Sequence, residues 1–127
     1  MNKNLQNKLF EDFPEIFSRR NLSKQETAIC HGIGCGDGWY PLIYNLCETI
    51  KNHVDYHKIE SVQVDQIKSK FSGLRFYLHK RSVKEISAMI AITEKLSYHI
   101  CQHCGLSIFK LKNHECRSFN DRNIKEN

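Results

Sequence analysis

Two cysteines separated by two residues and followed by glycine, Cys101-Gln102-His103-Cys104-Gly105, form the strongest chemical signal in the chain. At this spacing the backbone can wrap so that both thiolates face one cation, and the glycine permits the tight turn that follows. Further along lies His114-Glu115-Cys116. Cys101, Cys104, His114 and Cys116 together make a Cys₃His set, the composition of a closed tetrahedral Zn2+ site that serves structure and not catalysis. Paired zinc ligands usually keep two or more residues between them, whereas His114 and Cys116 have one, so His99, His103, Cys30 and Cys35 stand as alternative donors. A redox pair is the competing reading, but a thioredoxin-like motif opens a helix after a strand and this one closes a helix. A solvated loop is the bland account of His114 and Cys116; metal binding, worth on the order of 10 kcal/mol or more, would give that segment a reason to be ordered. A site of three thiolates and one Zn2+ would lower the formal net charge from +5 to +4.

The second unusual stretch runs from Cys30 to Trp39, with Gly at 32, 34, 36 and 38. Its glycine spacing fits neither the dinucleotide fingerprint nor a P-loop. A thiol enzyme with Cys35 as nucleophile and His31 as base is conceivable, but no third group is tied to the pair. The favoured reading is a tight turn against the following helix, with Trp39 packed at its base and no role assigned to Cys30, Cys35 or Asp37. His53 and His57, at i and i+4, are read as a helix C-terminus and Cys47 as a core thiol.

A third group lies in a basic strand. Alternation puts Leu74, Phe76 and Leu78 on one face and Arg75, Tyr77, His79 and Arg81 on the other. With Lys68, Lys70, Lys110 and Lys112, that face could hold a phosphate backbone and stack an unpaired base, or press on an acidic protein. Partial neutralisation by Glu85 and Glu94 is the structural alternative.

These groups need elements to position them. Residues 2–13 place Leu5, Leu9, Phe10 and Phe13 on one side and predict a short helix ending near Pro14. Residues 15–30 read as irregular or as one short helix. From Pro41, the series Leu42, Ile43, Leu46, Cys47, Ile50, Val54 predicts an amphipathic helix. Val62 and Val64 alternate, Ile67 and Phe71 continue on shifted parity, and Leu74, Phe76 and Leu78 alternate again, which predicts a β-hairpin turning at Ser72-Gly73 with a bulge near residues 65–66. Ser82 and Glu85 have capping-box spacing ahead of a helix carrying Val83, Ile86, Met89, Ile90, Thr93, Leu96 and Ile100 and running into Cys101. The expected fold is α+β: two long amphipathic helices packed on a β-hairpin or small antiparallel sheet, with a C-terminal zinc knuckle. One domain is expected over residues 1–117, followed by a frayed polar tail over 118–127.

Composition narrows the partners. A length of 127 residues suits one domain, no apolar run is long enough to span a bilayer, and residues 1–13 are too polar for a signal peptide's apolar region. The expectation is a soluble, cytoplasmic protein with no membrane partner, where clustered thiols mean metal before disulfide. Residues 1–60 carry −1 and residues 61–127 carry +6, so the basic half is the C-terminal one.

The three blocks Cys35-Gly-Asp-Gly-Trp39-Tyr-Pro-Leu-Ile43, Lys70-Phe-Ser-Gly-Leu-Arg-Phe-Tyr77 and Ile100-Cys-Gln-His-Cys-Gly105, in this order, resemble a family of small proteins encoded by bacteriophages and prophages. The resemblance covers about three quarters of the chain, roughly residues 5–105. It implies an accessory protein of the bacterial host cytoplasm with zinc at the C-x-x-C. Family members carry further Cys toward the C-terminus, where this chain offers His114 and Cys116. No particular reaction is implied. The function expected is non-enzymatic: binding to a host protein or nucleoprotein complex, with inhibition of a defence or regulatory complex. Direct DNA or RNA binding is the alternative, and a Cys35/His31 thiol enzyme the second alternative.

Overall fold

A computed structural model of the chain describes residues 1–108, 114 and 116. Lys110, Lys112 and the segment 118–127 lie outside the described residues. Among the described residues the fold is mixed helix and sheet, with three α-helices and one two-stranded antiparallel sheet.

Helix α1 (Lys3–Asp12) starts where the Asn2 side chain accepts the Asn4 amide at 2.7 Å, and stops ahead of Pro14. Two short 3₁₀ turns, Ser18–Asn21 and Ile29–His31, punctuate the following irregular segment. A third, Asp37–Trp39, leads into helix α2 (Tyr40–His57), where Pro41 occupies the first turn and Lys58 closes the last in the left-handed conformation. Helix α2 buries Ile43, Leu46, Cys47, Ile50 and Val54. Phe13 meets Tyr44 edge to face with ring centroids 5.0 Å apart, and the Tyr44 hydroxyl donates to Asp12 at 2.6 Å, which fixes α1 beside α2.

Strands β1 (Val64–Lys70) and β2 (Gly73–Leu78) pair antiparallel, with a break in register between Val64 and Gln66. The bulge thus falls at Asp65, where the sequence parity slips. The turn differs from the expectation. Lys70 pairs with Gly73, so the two loop residues are Phe71 and Ser72, with φ of 52° and 64°. A two-residue loop with both φ positive matches the twist of the flanking strands. Gly73 instead opens β2, where the Tyr98 ring fills the space a Cβ would need.

Helix α3 (Lys84–Ser97) packs on both β2 and α2. The Ser82/Glu85 capping box does not form, because Val83 and not Ser82 occupies the N-cap position, which puts Ser82 one residue too early. The helix also ends at Ser97, short of Cys101. Its side chains seal the outer edge of β2: Ser97 Oγ accepts the Leu74 amide and Glu94 Oε2 the Phe76 amide, each at 2.8 Å. On the far edge of β1, Gly34 donates to the Ile67 carbonyl at 2.9 Å and accepts from the Ser69 amide at 3.0 Å. A lone two-stranded hairpin is marginal in water, and these bonds replace the missing neighbours on both sides.

The core lies between helices and hairpin and includes Leu9, Phe17, Ile29, Trp39, Ile43, Ile50, Ile67, Leu74 and Ile86. No described helix is long and apolar enough to cross a membrane.

The bulge residue is pinned from three sides. Arg19 Nε donates to Asp65 Oδ1 at 2.7 Å, His79 Nδ1 lies 3.1 Å from Oδ2, and the Thr27 hydroxyl donates to the Asp65 carbonyl at 3.0 Å. Burial pushes the Asp65 carboxyl up, but the hydrogen bonds from Arg19, His79 and Thr27 outweigh it and hold the group below its ordinary 3.8. The sign follows from linkage: stability from the ionised carboxylate is complete above the unfolded-state value and is lost as pH falls through the lower folded-state value. Asp65→Asn is expected to cost about 1 kcal/mol near neutral pH and to flatten the loss of stability below about pH 4. Denaturant titrations of both proteins across that range check it, and an unchanged acid limb in the variant would contradict the assignment.

Candidate metal centre

The C-x-x-C segment folds as a miniature hairpin. Cys101 N–H donates to the Leu106 carbonyl at 2.9 Å, Gly105 N–H to the Cys101 carbonyl at 2.8 Å, and Ile108 N–H to the His99 carbonyl at 2.7 Å. Gly105 makes the turn with φ of 77°, a conformation in which a Cβ is strained. These bonds fix the backbone that carries the thiols of Cys101 and Cys104, and the His114 and Cys116 side chains lie beside them.

The donor atoms of Cys101, Cys104, His114 and Cys116 all lie within 4.8 Å of one another. His114 Nε2 is 3.5 Å from the Cys104 sulfur. All four expected ligands therefore converge despite the single residue between His114 and Cys116, and the group can hold a metal ion. Cys101 and Cys116 are buried, whereas Cys104 and His114 are half-buried. Among the described residues this is the one cluster of three or more such donors; Cys30, Cys35, His53 and His57 are not in it.

The electrostatics of the thiols are opposed. A hydrogen bond from the Leu106 backbone amide favours the Cys104 thiolate, but burial and the neighbouring Cys101 and Cys116 sulfurs push its pKa up overall. Gathered sulfurs resist ionising together unless a cation joins them.

The glycine-rich loop is the buttress of this centre, a role the sequence did not assign it. Gly38 N–H donates to the Gln102 carbonyl at 2.6 Å and Gly36 N–H to Gln102 Oε1 at 3.1 Å. Gln102 Nε2 reaches on to Ser69 on β1 at 3.1 Å, and Trp39 Nε1 donates to the Ile100 carbonyl at 2.8 Å. A Cβ on Gly36 would collide with the Gln102 carbonyl, and one on Gly38 with backbone atoms of Cys101 and Gly105. Gln102 is thus a positioning residue hidden at an unremarkable place inside the C-x-x-C. Asp37 accepts the Asn2 amide at 2.7 Å and ties the start of α1 to the same loop.

Other candidates fall elsewhere. Cys35 is buried, which pushes its thiol up to about 12, and it makes no hydrogen bond to the exposed His31. Cys30 donates to the Thr27 carbonyl at 3.3 Å, and Cys47 is fully buried in the core as expected. His53 and His57 lie side by side on the last turns of α2, with ring centroids 4.3 Å apart and planes tilted by 49°.

The basic face of the hairpin forms in the expected register. Lys68 pairs across from Arg75 and Gln66 from Tyr77, leaving Ile67 and Phe76 on the core side. His79 turns to Asp65, while Arg81 lies exposed beyond β2. Glu94 accepts the Phe76 amide and its charge also acts on Arg75, so part of the strand's positive charge is met within the fold, as one reading of the sequence expected.

No protein-family model matches the chain, and neither a curated protein nor a solved structure matches it significantly.

Because Gly38 lets two backbones touch, Gly38→Ala is expected to destabilise the fold by about 1–3 kcal/mol, the usual range for forced overpacking, and to weaken metal retention. Thermal melting together with metal content after dialysis against a chelator measures both. Unchanged values for both would remove the buttress from the account.

Proposed function

We propose that the chain is a non-enzymatic binding protein whose fold is completed by one structural Zn2+ at Cys101, Cys104, His114 and Cys116. The observation that carries this is the gathering of four protein donors within 4.8 Å of one another; four such ligands would fill the tetrahedral shell of one Zn2+ and leave no position for substrate. Zinc suits the set: three sulfurs and one imidazole are borderline-soft ligands. A tetrahedron with Zn–S near 2.3 Å and Zn–N near 2.0–2.1 Å has a sulfur-to-nitrogen edge of about 3.6 Å, and the Cys104–His114 separation is 3.5 Å. The divalent charge would also relieve the mutual repulsion of the three thiolates.

Binding rather than catalysis is supported by the buried, strongly protonated Cys35, which offers no ready thiolate. The exposed basic hairpin supplies a surface instead. Combined with the resemblance to phage accessory proteins, this gives a protein of the bacterial cytoplasm that engages a host protein or nucleoprotein complex and inhibits a defence or regulatory assembly.

Elemental analysis of the purified full chain is expected to find one zinc per molecule. Cys101→Ser and Cys116→Ser should each abolish stoichiometric retention, and chelation should lower the melting temperature by roughly 10 °C or more, since several kcal/mol of metal binding are folding free energy. Full zinc content in both variants would refute the site.

A further inference from the structure

The solvent face of the hairpin is an ordered array of cations on aromatic rings. Lys68 Nζ lies 5.8 Å from the Tyr77 ring centroid, Lys70 Nζ 5.6 Å from that of Phe71, and the Arg75 guanidinium 5.7 Å from that of Tyr98. Arg75 also donates to the Tyr98 hydroxyl at 2.6 Å and to the Leu74 carbonyl at 2.8 Å, which fixes the guanidinium in place. Among the described residues none of the three cations forms a salt bridge, although Arg75 feels the charge of Glu94. The charges of Lys68 and Lys70, and part of that of Arg75, are therefore available to an outside anion.

The tip adds a second, independent observation. Phe71 is held in the left-handed conformation, with φ of 52°, in a turn type that favours Asn-Gly. Its side chain is nevertheless 82% exposed, so core burial does not offset the backbone cost. Tyr77 is 40% exposed on the same face as Lys68 and Arg75. Side chains two apart on a strand repeat every ~6.6 Å along it, so Lys68 and Lys70, with Arg75 across from Lys68, form a short track of charge flanked by ring faces.

We propose that this face binds a single-stranded nucleic acid, with phosphates held by Lys68, Lys70 and Arg75 and unpaired bases stacked on Tyr77 and Phe71. A positive track interleaved with exposed rings is the recognition chemistry of single strands, because every base offers a π-face once it is unpaired. A duplex would leave the rings without partners, and an acidic polypeptide would use the charges alone. The inference rests on the reading of the chain as a binding protein and names the class of its partner.

The test is fluorescence anisotropy with the full-length protein, whose zinc content is measured on the same sample. Labelled oligothymidylate and oligouridylate of about 12 nucleotides are the probes, titrated between about 50 and 200 mM salt. Saturable binding is expected, and the tighter of the two probes identifies DNA or RNA as the source. Three phosphate contacts predict a log–log salt slope of about −2, shallower by about 0.7 in Lys68→Ala. Tyr77→Ala and Phe71→Ala should each weaken binding roughly 5- to 150-fold, the range for loss of one base stack, whereas Tyr77→Phe should bind like the parent. No binding at the lowest salt overturns the proposal, as does affinity that Tyr77→Ala leaves intact, or affinity for duplex or polyglutamate equal to that for the single strand. Zinc-replete protein that fails to bind sinks this proposal alone; absence of zinc is what counts against the metal centre.

Discussion

The close approach of two backbones, the Gly36–Gly38 loop and the Cys101–Gly105 turn, is the constraint on which the rest of the molecule hangs. Neither partner tolerates a side chain between them, and the amides of Gly36 and Gly38 are satisfied by Gln102 itself. The loop continues directly into Trp39 and α2, and the turn follows α3 after Tyr98, His99 and Ile100. Since α2 and α3 also pack on each other, the contact closes a ring of elements and is no appendage. A metal that orders the turn would therefore order a wall of the core with it, which is how ligand binding becomes folding free energy.

The sheet depends on the same economy of partners. Two strands cannot bury both edges, so α3 lends Ser97 and Glu94 to one edge and the glycine-rich loop lends Gly34 to the other. With edges and inner face committed, one face remains for solvent. There the side chains are long cations and rings, whereas the core side holds Ile67, Leu74 and Phe76. Segregation of that kind follows from strand alternation and needs no extra element.

Periodicity and spacing made much of this legible. The parity slip after Val64 pointed to a bulge near residues 65–66, which falls at Asp65, the three- and four-residue repeat after Pro41 located α2, and C-x-x-C-G with His114 and Cys116 named the four donors that lie together. What stayed hidden was mostly which distant backbone each special residue meets. Glycines at 36 and 38 announce freedom or close approach, but nothing local says that the neighbour is Gln102, sixty-odd positions away. Gly73 read as the turn because turns favour glycine, while its actual constraint is the ring of Tyr98 lying on it. Ser82 had the spacing of a cap and lost the position to Val83 by one residue, a margin within which local patterns do not discriminate.

Tyr98 joins the two halves of the molecule. It sits three residues before Cys101, covers Gly73 at the start of β2, and accepts from Arg75 on the solvent face. Any slackening of the turn at Cys101 would be passed to Tyr98 through the hydrogen bonds that Tyr98 and Ile100 make back to the end of α3. Arg75 would then lose the partner that keeps its guanidinium fixed, while keeping its charge. The Cys/His cluster can in this way set the geometry of a surface it never touches, because the Tyr98 side chain spans the gap between them.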